Sequence, residues 1–284
     1  IRELPDELIS QIAAGEVVDR PAAAVRELVD NALDAGAAQV TVRLQAGGVR
    51  AIVVEDDGQG IPAHELVLAI RRHATSKIGS LHELESVATM GFRGEALAAI
   101  ASVAELSIAS RTADAPHGSR LDARTGELSA CARARGTSVE VRELFFSTPA
   151  RRKFLKTDAT ETAHCLEAVR RHALARPDVG FAIWHEGKLV EQWRRCEDPS
   201  LTASLNQRLA DVLGADFIAQ SIAVDWRPAS AARAQGNDPS EDSSQGASAI
   251  RSGGSSTTWP AIARRHRGVR AATTNTGRYA DLQQ

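Results

Sequence analysis

Apolar residues along this chain fall into short rhythms that change from one segment to the next. Leu4, Leu8, Ile9 and Ile12 recur at helical spacing and predict a packed, helical arm over residues 1–20. Val25, Leu28, Val29, Ala32 and Leu33 then form one stripe with a period near 3.6. Pro21 suits a first helical position and Gly36 a helix end, so a helix is predicted over 21–35. On its opposite face Glu27, Asn31 and Asp34 fall at i, i+4 and i+7. Gln39 to Leu44 alternates, Gly47-Gly48 turns, and Val49 to Glu55 is β-branched and apolar, which predicts an antiparallel hairpin. Further along, helices are expected at 63–73, from Gly94 to about 104, and at 158–175. Strands are expected at 105–111, 120–123, 128–134 and 138–144, with Thr125-Gly126 as a turn, and a later hairpin turns at Glu186-Gly187. Hairpins interspersed with helices imply an α+β fold with a mixed, mostly antiparallel sheet.

Composition narrows the class. The 284 residues are 25% charged and 43% hydrophobic with a net charge of -2, and no apolar run is long enough to span a bilayer. A cytoplasmic protein with no membrane partner is expected, and the near-neutral charge confines any nucleic-acid contact to a local basic face. Cys131, Cys165 and Cys196 are far apart and odd in number, so neither a disulfide framework nor a zinc site is expected. From about residue 227 aliphatic residues become few, and Asn237 to Thr258 is dominated by Ser, Gly, Asp, Glu and Ala. Such a segment cannot bury enough apolar surface to offset its ordering entropy, so residues 227–284 are expected to form a disordered or poorly packed tail.

Three places offer chemistry. Glu27 and Asn31, one helical turn apart, can set a water-activating carboxylate beside an oxygen ligand for magnesium. Asp56-Asp57-Gly58-Gln59-Gly60 ends a strand in glycines that admit a ligand, with a carboxylate able to accept from a base amine. Gly58-x-Gly60-x-x-Ala63 also matches a dinucleotide fingerprint, but Asp56 and Asp57 would repel a pyrophosphate, and the strand before them belongs to a hairpin. His73-Ala74-Thr75-Ser76-Lys77 and Gly91-Phe92-Arg93-Gly94-Glu95 supply hydroxyls, cations and helix-start N–H groups for phosphate, without P-loop spacing.

Taken together with Gln11 to Val18, Glu27 to Asn31, Leu33 to Gly36, Ala96-Leu97 and Thr148-Pro149-Ala150-Arg151-Arg152-Lys153-Phe154, these stretches resemble, in order, the motifs of the MutL family of DNA mismatch repair ATPases. The resemblance covers roughly residues 2–226 and implies a Bergerat ATP-binding fold: a two-layer sandwich with helices on one face of the sheet. It implies Glu27 as general base, Asn31 as magnesium ligand and Asp56 as the carboxylate that recognises the adenine amine, with Gly58 and Gly60 shaping the base pocket. Thr75, Ser76 and Lys77, with Gly91, Phe92, Arg93, Gly94, Glu95, Ala96 and Leu97, resemble the lid over the triphosphate, and Thr137 after Gly136 resembles the last nucleotide motif. Arg151, Arg152 and Lys153 are candidate contacts to DNA phosphates.

The domain division expected on this basis is an arm at 1–20, an ATP-binding domain at 21–200, the start of a second domain at 201–226, and the tail. The resemblance implies a weak ATP hydrolase using ATP and Mg2+. It would close a lid, self-associate, and couple a mismatch-recognition protein to strand-removing enzymes on DNA, near the nucleoid if the source is bacterial. Two departures are visible. Asp30 and Ser147 stand where many relatives carry glutamate and asparagine, and no lysine follows Lys188, whereas relatives draw a γ-phosphate lysine from a second domain. A non-hydrolysing nucleotide- or partner-binding adaptor is therefore the rival reading. A change of reading frame, divergence and disorder are the open accounts of the tail.

Overall fold

A computed structural model of the chain describes residues 14–15, 17–72, 74, 95–224 and 261–264. The predicted arm before residue 14 and the tail outside 261–264 lie outside the described residues. Contacts divide the chain between Val212 and Leu213 into two units.

In the first unit, α1 (Pro21–Asp34) starts on Pro21 and turns off at Gly36, whose φ is +72°. Its Val25, Leu28, Val29, Ala32 and Leu33 are buried, each larger side chain contributing about 1.5–3 kcal/mol of apolar transfer. β1 (Gln39–Gln45) and β2 (Ala51–Asp56) pair antiparallel, with Val42 opposite Val54 and Leu44 opposite Ile52. The helix predicted at 63–73 is shorter than expected: a 3-10 turn at Ala63–Glu65 runs into one α turn at Leu66–Ala69. Only Leu66 there is buried, while Val67 and Leu68 face solvent, so the segment has no continuous stripe to extend it.

α2 (Ala96–Val103) leads into β3 (Glu105–Arg111), followed by β4 (Gly118–Asp122), β5 (Leu128–Cys131) and β6 (Gly136–Arg142). α3 (Asp158–Ala175) matches its predicted span. Thr157 caps it by accepting from Thr160 N, and buried Glu161 reaches back to accept from Lys156 N at 2.9 Å; such a cap contributes about 1 kcal/mol. β7 (Gly180–His185) and β8 (Lys188–Trp193) form the last hairpin, and α4 (Leu201–Leu213) follows.

The eight strands form one sheet in the order β5-β4-β3-β6-β2-β1-β7-β8. Every neighbouring pair is antiparallel except β1 with β7, which run parallel with Val42 beside Ile183. Val40, Val42, Leu44, Ile52, Val54, Leu106, Ile108, Leu121, Val141, Phe181 and Ile183 point to one face and join the buried stripes of α1, α2 and α3 in a single core. The other face is open and polar: Arg43 pairs with Glu55 at 3.1 Å, and Arg120 and Arg142 both reach Glu140. The architecture is the expected two-layer α+β sandwich.

α4 is fastened by a buried cation. Arg208 is fully buried and its guanidinium donates to the carbonyls of Ala173, Arg176, Pro177, Val179 and Arg194 at 2.7–3.2 Å, collecting acceptors at the end of α3, ahead of β7 and just after β8. In the second unit the described part is a short helix at Ala215–Ala219 and an antiparallel pair, β9 (Ser221–Val224) with β10 (Ala261–Arg264). Among the described residues no helix is long and apolar enough to cross a membrane.

Candidate nucleotide site

The helix α1 and the turn after β2 are knitted to each other. Asp57 Oδ1 accepts from Ala38 N at 2.8 Å and Gln39 N at 2.9 Å, and Gln59 N donates to Ala35 O at 2.9 Å. The helix carrying Glu27 and Asn31 and the turn carrying Asp56 are thus set against each other by backbone and carboxylate bonds. Glu27 and Asn31 are half-buried on the polar face of α1, and Glu27 Oε1 accepts from Arg26 Nη2 at 3.0 Å.

Asp56 ends β2 with its carboxylate already oriented. Its Oδ1 accepts from Gly58 N at 2.9 Å and from Thr137 N at 3.2 Å. Burial pushes this carboxyl above its ordinary value; those two N–H bonds and the nearby Arg133 oppose the rise, and the neighbouring Asp57 adds to it. Gly60 and Gly136 are required by geometry. Gly60 sits at φ +77°, where a Cβ would lie 2.2 Å from Arg111 O, and Gly136 at φ +113°, where one would lie 2.1 Å from Asp56 O.

Ser110 is a site residue that sequence reasoning missed. It is buried, accepts from Ile61 N at 2.8 Å, donates to Gly136 O at 3.1 Å, and lies 2.9 Å from Thr137 Oγ1. A hydroxyl has one proton; with that proton on Gly136 O, Thr137 donates to Ser110. The turn after β2, the end of β3 and the start of β6 are thereby joined through one side chain. A serine inside an alternating strand carries no sequence signal for this role; only its inward register could have drawn attention.

Of the predicted lid, Thr75, Ser76, Lys77, Gly91, Phe92, Arg93 and Gly94 lie outside the described residues. Glu95 stands at the start of α2, and Ala96 and Leu97 are half-buried in its first turn. Arg151, Arg152 and Lys153 do not form one basic face. Arg151 is turned inward, so close to Gly15 that a Cβ there would lie 1.8 Å from Arg151 Nη2. Arg152 pairs with Glu143 at 3.1 Å, and Lys153 is exposed. Gly15 and Arg151 come from two of the stretches that carry the resemblance, and in the fold they touch.

Comparison with known proteins bears on this arrangement. Residues 19–136 match the family described as histidine kinase-, DNA gyrase B-, and HSP90-like ATPases. Among solved structures, the Aquifex aeolicus MutL ATPase domain complexed with ADP is 31% identical, with a TM-score of 0.53, over 69% of this chain and 70% of that one. The chain belongs to the MutL family. The N-terminal domain of a DNA repair protein superposes with a TM-score of 0.62 at 28% identity, over 77% of this chain and 64% of that one. MutL of Ralstonia nicotianae is 58% identical over 217 residues, and MutL of Xanthomonas campestris pv. campestris 55% identical over 228. These matches cover 76% and 79% of this chain, which spans 33% and 36% of the two relatives, about a third of their length. The sheet and helices described above are therefore the ATPase fold of MutL proteins.

Proposed function

We propose that this chain binds Mg-ATP and hydrolyses it slowly, as the ATPase region of a mismatch repair protein. The observation that supports the reading best is Asp56. A half-buried carboxylate held by Gly58 N and Thr137 N, at the foot of the helix bearing Glu27 and Asn31, is built to accept from a base amine. Among the described residues no cluster of His, Cys, Asp and Glu converges as a metal cage. Magnesium needs none here: it keeps several waters and takes phosphate oxygens, so the single carboxamide oxygen of Asn31 completes a workable shell. When bound, the ion neutralises charge on the phosphates.

In the reaction, Glu27 takes a proton from water as the water oxygen attacks the γ-phosphorus. The bond from that phosphorus to the β–γ bridging oxygen breaks, and its electron pair leaves with ADP. Arg26, bonded to Glu27 Oε1, restrains the carboxylate. Thr75, Ser76, Lys77 and the stretch from Gly91 to Leu97 form the lid in this reading. Its closure over ATP couples to self-association, which conveys mismatch recognition to strand removal on DNA in the cytoplasm. Lys153, exposed on the surface, is the best placed of the three basic candidates for DNA phosphate.

A second reading is a non-hydrolysing nucleotide- or partner-binding adaptor. Mg-dependent binding and single-turnover hydrolysis of labelled ATP separate the two. Glu27→Ala is expected to retain ATP and lose turnover, and Asn31→Ala to lose the magnesium dependence of binding. Unchanged turnover in Glu27→Ala removes it as the base, and binding without turnover in the unsubstituted chain selects the adaptor.

A further inference from the structure

The link between β5 and β6 sends two guanidinium groups to the same turn. Arg133 Nη2 donates to Asp56 O at 2.9 Å, and Arg135 Nε donates to Gly58 O at 3.1 Å. Arg111 Nη1, at the end of β3, donates to Arg133 O at 3.2 Å and so pins the link itself. Backbone contact is equally close, since Gly136 packs against Asp56 O too tightly for any side chain. Among the described residues Arg133 forms no ion pair. Its half-buried positive charge acts on the Asp56 carboxylate.

The geometry points to Arg133 as a specificity-determining residue: bonded to the Asp56 backbone, its guanidinium keeps the Asp56 carboxylate ionised, and so able only to accept from a base amine. The inference rests on the reading of Asp56 as the group that recognises the base. An ionised carboxylate accepts from the exocyclic amine of adenine and repels the carbonyl oxygen that hypoxanthine carries at that position. A protonated carboxyl inverts the preference, because it donates to a carbonyl. Burial and the like charge of Asp57 both favour the protonated form. Against them stand the N–H groups of Gly58 and Thr137 and the charge of Arg133, while Arg135 and Arg111 bond to the backbone of Gly58 and Arg133. Among the described residues Arg133 is the one cation that bonds to Asp56 itself. The sign follows. Without Arg133 the Asp56 carboxyl titrates at higher pH, and the acid limit of ATP binding rises with it.

The test is equilibrium binding of labelled ATP and inosine triphosphate by the full chain from pH 5 to 8, for the unsubstituted protein, Arg133→Met, Arg133→Lys and Asp56→Asn. Expected are a preference for ATP, an acid midpoint that moves up in Arg133→Met, and a loss of about tenfold in ATP preference there, the size of one charge-assisted interaction. Arg133→Lys should restore both. Folding is checked by circular dichroism, with Arg133→Gln in place of Arg133→Met if the latter does not fold. Uniformly weaker binding with an unmoved midpoint and unmoved preference would make Arg133 a structural brace and overturn the inference. If Asp56→Asn alters the preference while Arg133→Met does not, the inference falls and the reading of Asp56 stands. If Asp56→Asn changes nothing, or no nucleotide binds, both fall together.

Discussion

His172 Nε2 lies 2.7 Å from Asp30 Oδ1, joining α3 to the helix that carries Glu27 and Asn31. Both side chains are nearly enclosed, at 10% and 14% exposure, and His172 Nδ1 faces Ala168 O at 2.8 Å. The short aspartate is met by an imidazole that reaches across from α3. Removing the ring leaves a buried carboxylate with its partner gone, which costs far more than the pair contributes on balance. His172→Phe should lower stability by about 2–4 kcal/mol in urea unfolding. Asp30→Asn should cost less, and the double variant should fall short of the sum. Additive losses would mean that the two side chains do not act on each other.

Gly60 and Gly126 share a positive φ near 75° but not a neighbourhood: a Cβ at Gly60 would sit 2.2 Å from Arg111 O, and one at Gly126 meets nothing within 4 Å. Gly126→Ala should therefore cost about 1 kcal/mol, the strain of left-handed backbone alone. Gly60→Ala must move the backbone of β3 or of the turn, and is expected to weaken ATP binding at least tenfold. Equal effects of the two substitutions on binding would remove the turn from the nucleotide site.

Burial, with the charge of Glu161 nearby, pushes the Cys165 thiol up to about 12, and the residue is fully enclosed. The thiolate is the reactive form, so Cys165 should resist iodoacetamide at pH 8 in the folded protein, while half-buried Cys131 is alkylated first. Mass spectrometry of peptides after timed quenching reads this directly. Early labelling of Cys165 would show that α3 opens away from the segment at Ala46–Gly48.

Arg208 offers the largest single loss. Arg208→Met keeps the volume and removes the donors to five carbonyls, so a destabilisation of about 3–5 kcal/mol is expected in urea unfolding. Arg208→Lys should recover only part, because one ammonium cannot reach acceptors spread along both sides of a planar fork. A change within 0.5 kcal/mol for Arg208→Met would mean that water replaces the guanidinium without cost.

Local patterns were the legible part of this fold. Pro21 and Gly36 bound α1, the alternation around Gly47-Gly48 marks the first hairpin, and α3 spans its predicted residues because caps and periodicity agree there. The strand expected at 120–123 begins instead at Gly118, and that at 138–144 runs over Gly136–Arg142, since glycines at both starts hid the extended backbone. Alternation tells which side of a strand is buried but not which strand lies beside it, so the parallel neighbour of β1 could not be read. Glu27, Asn31 and Asp56 stood out as short motifs. Ser110, Arg111, Arg133 and Arg208 did not, because their work is donation or acceptance at backbone atoms far along the chain, and a backbone carbonyl leaves no trace in residue type.

The parallel pairing of β1 with β7 has a consequence for how the protein is made. On the ribosome, Gln39–Gln45 emerges early and closes its hairpin with Ala51–Asp56 at once, yet its other edge finds no partner until Gly180–His185 has been synthesised and cleared the exit tunnel. For all of that interval the nascent chain carries an open strand edge with Val40, Val42 and Leu44 behind it, the kind of surface that recruits holding chaperones or pairs with a neighbouring copy. Slow translation between these two points lengthens the exposure, so the yield of soluble protein should depend on codon choice across that stretch.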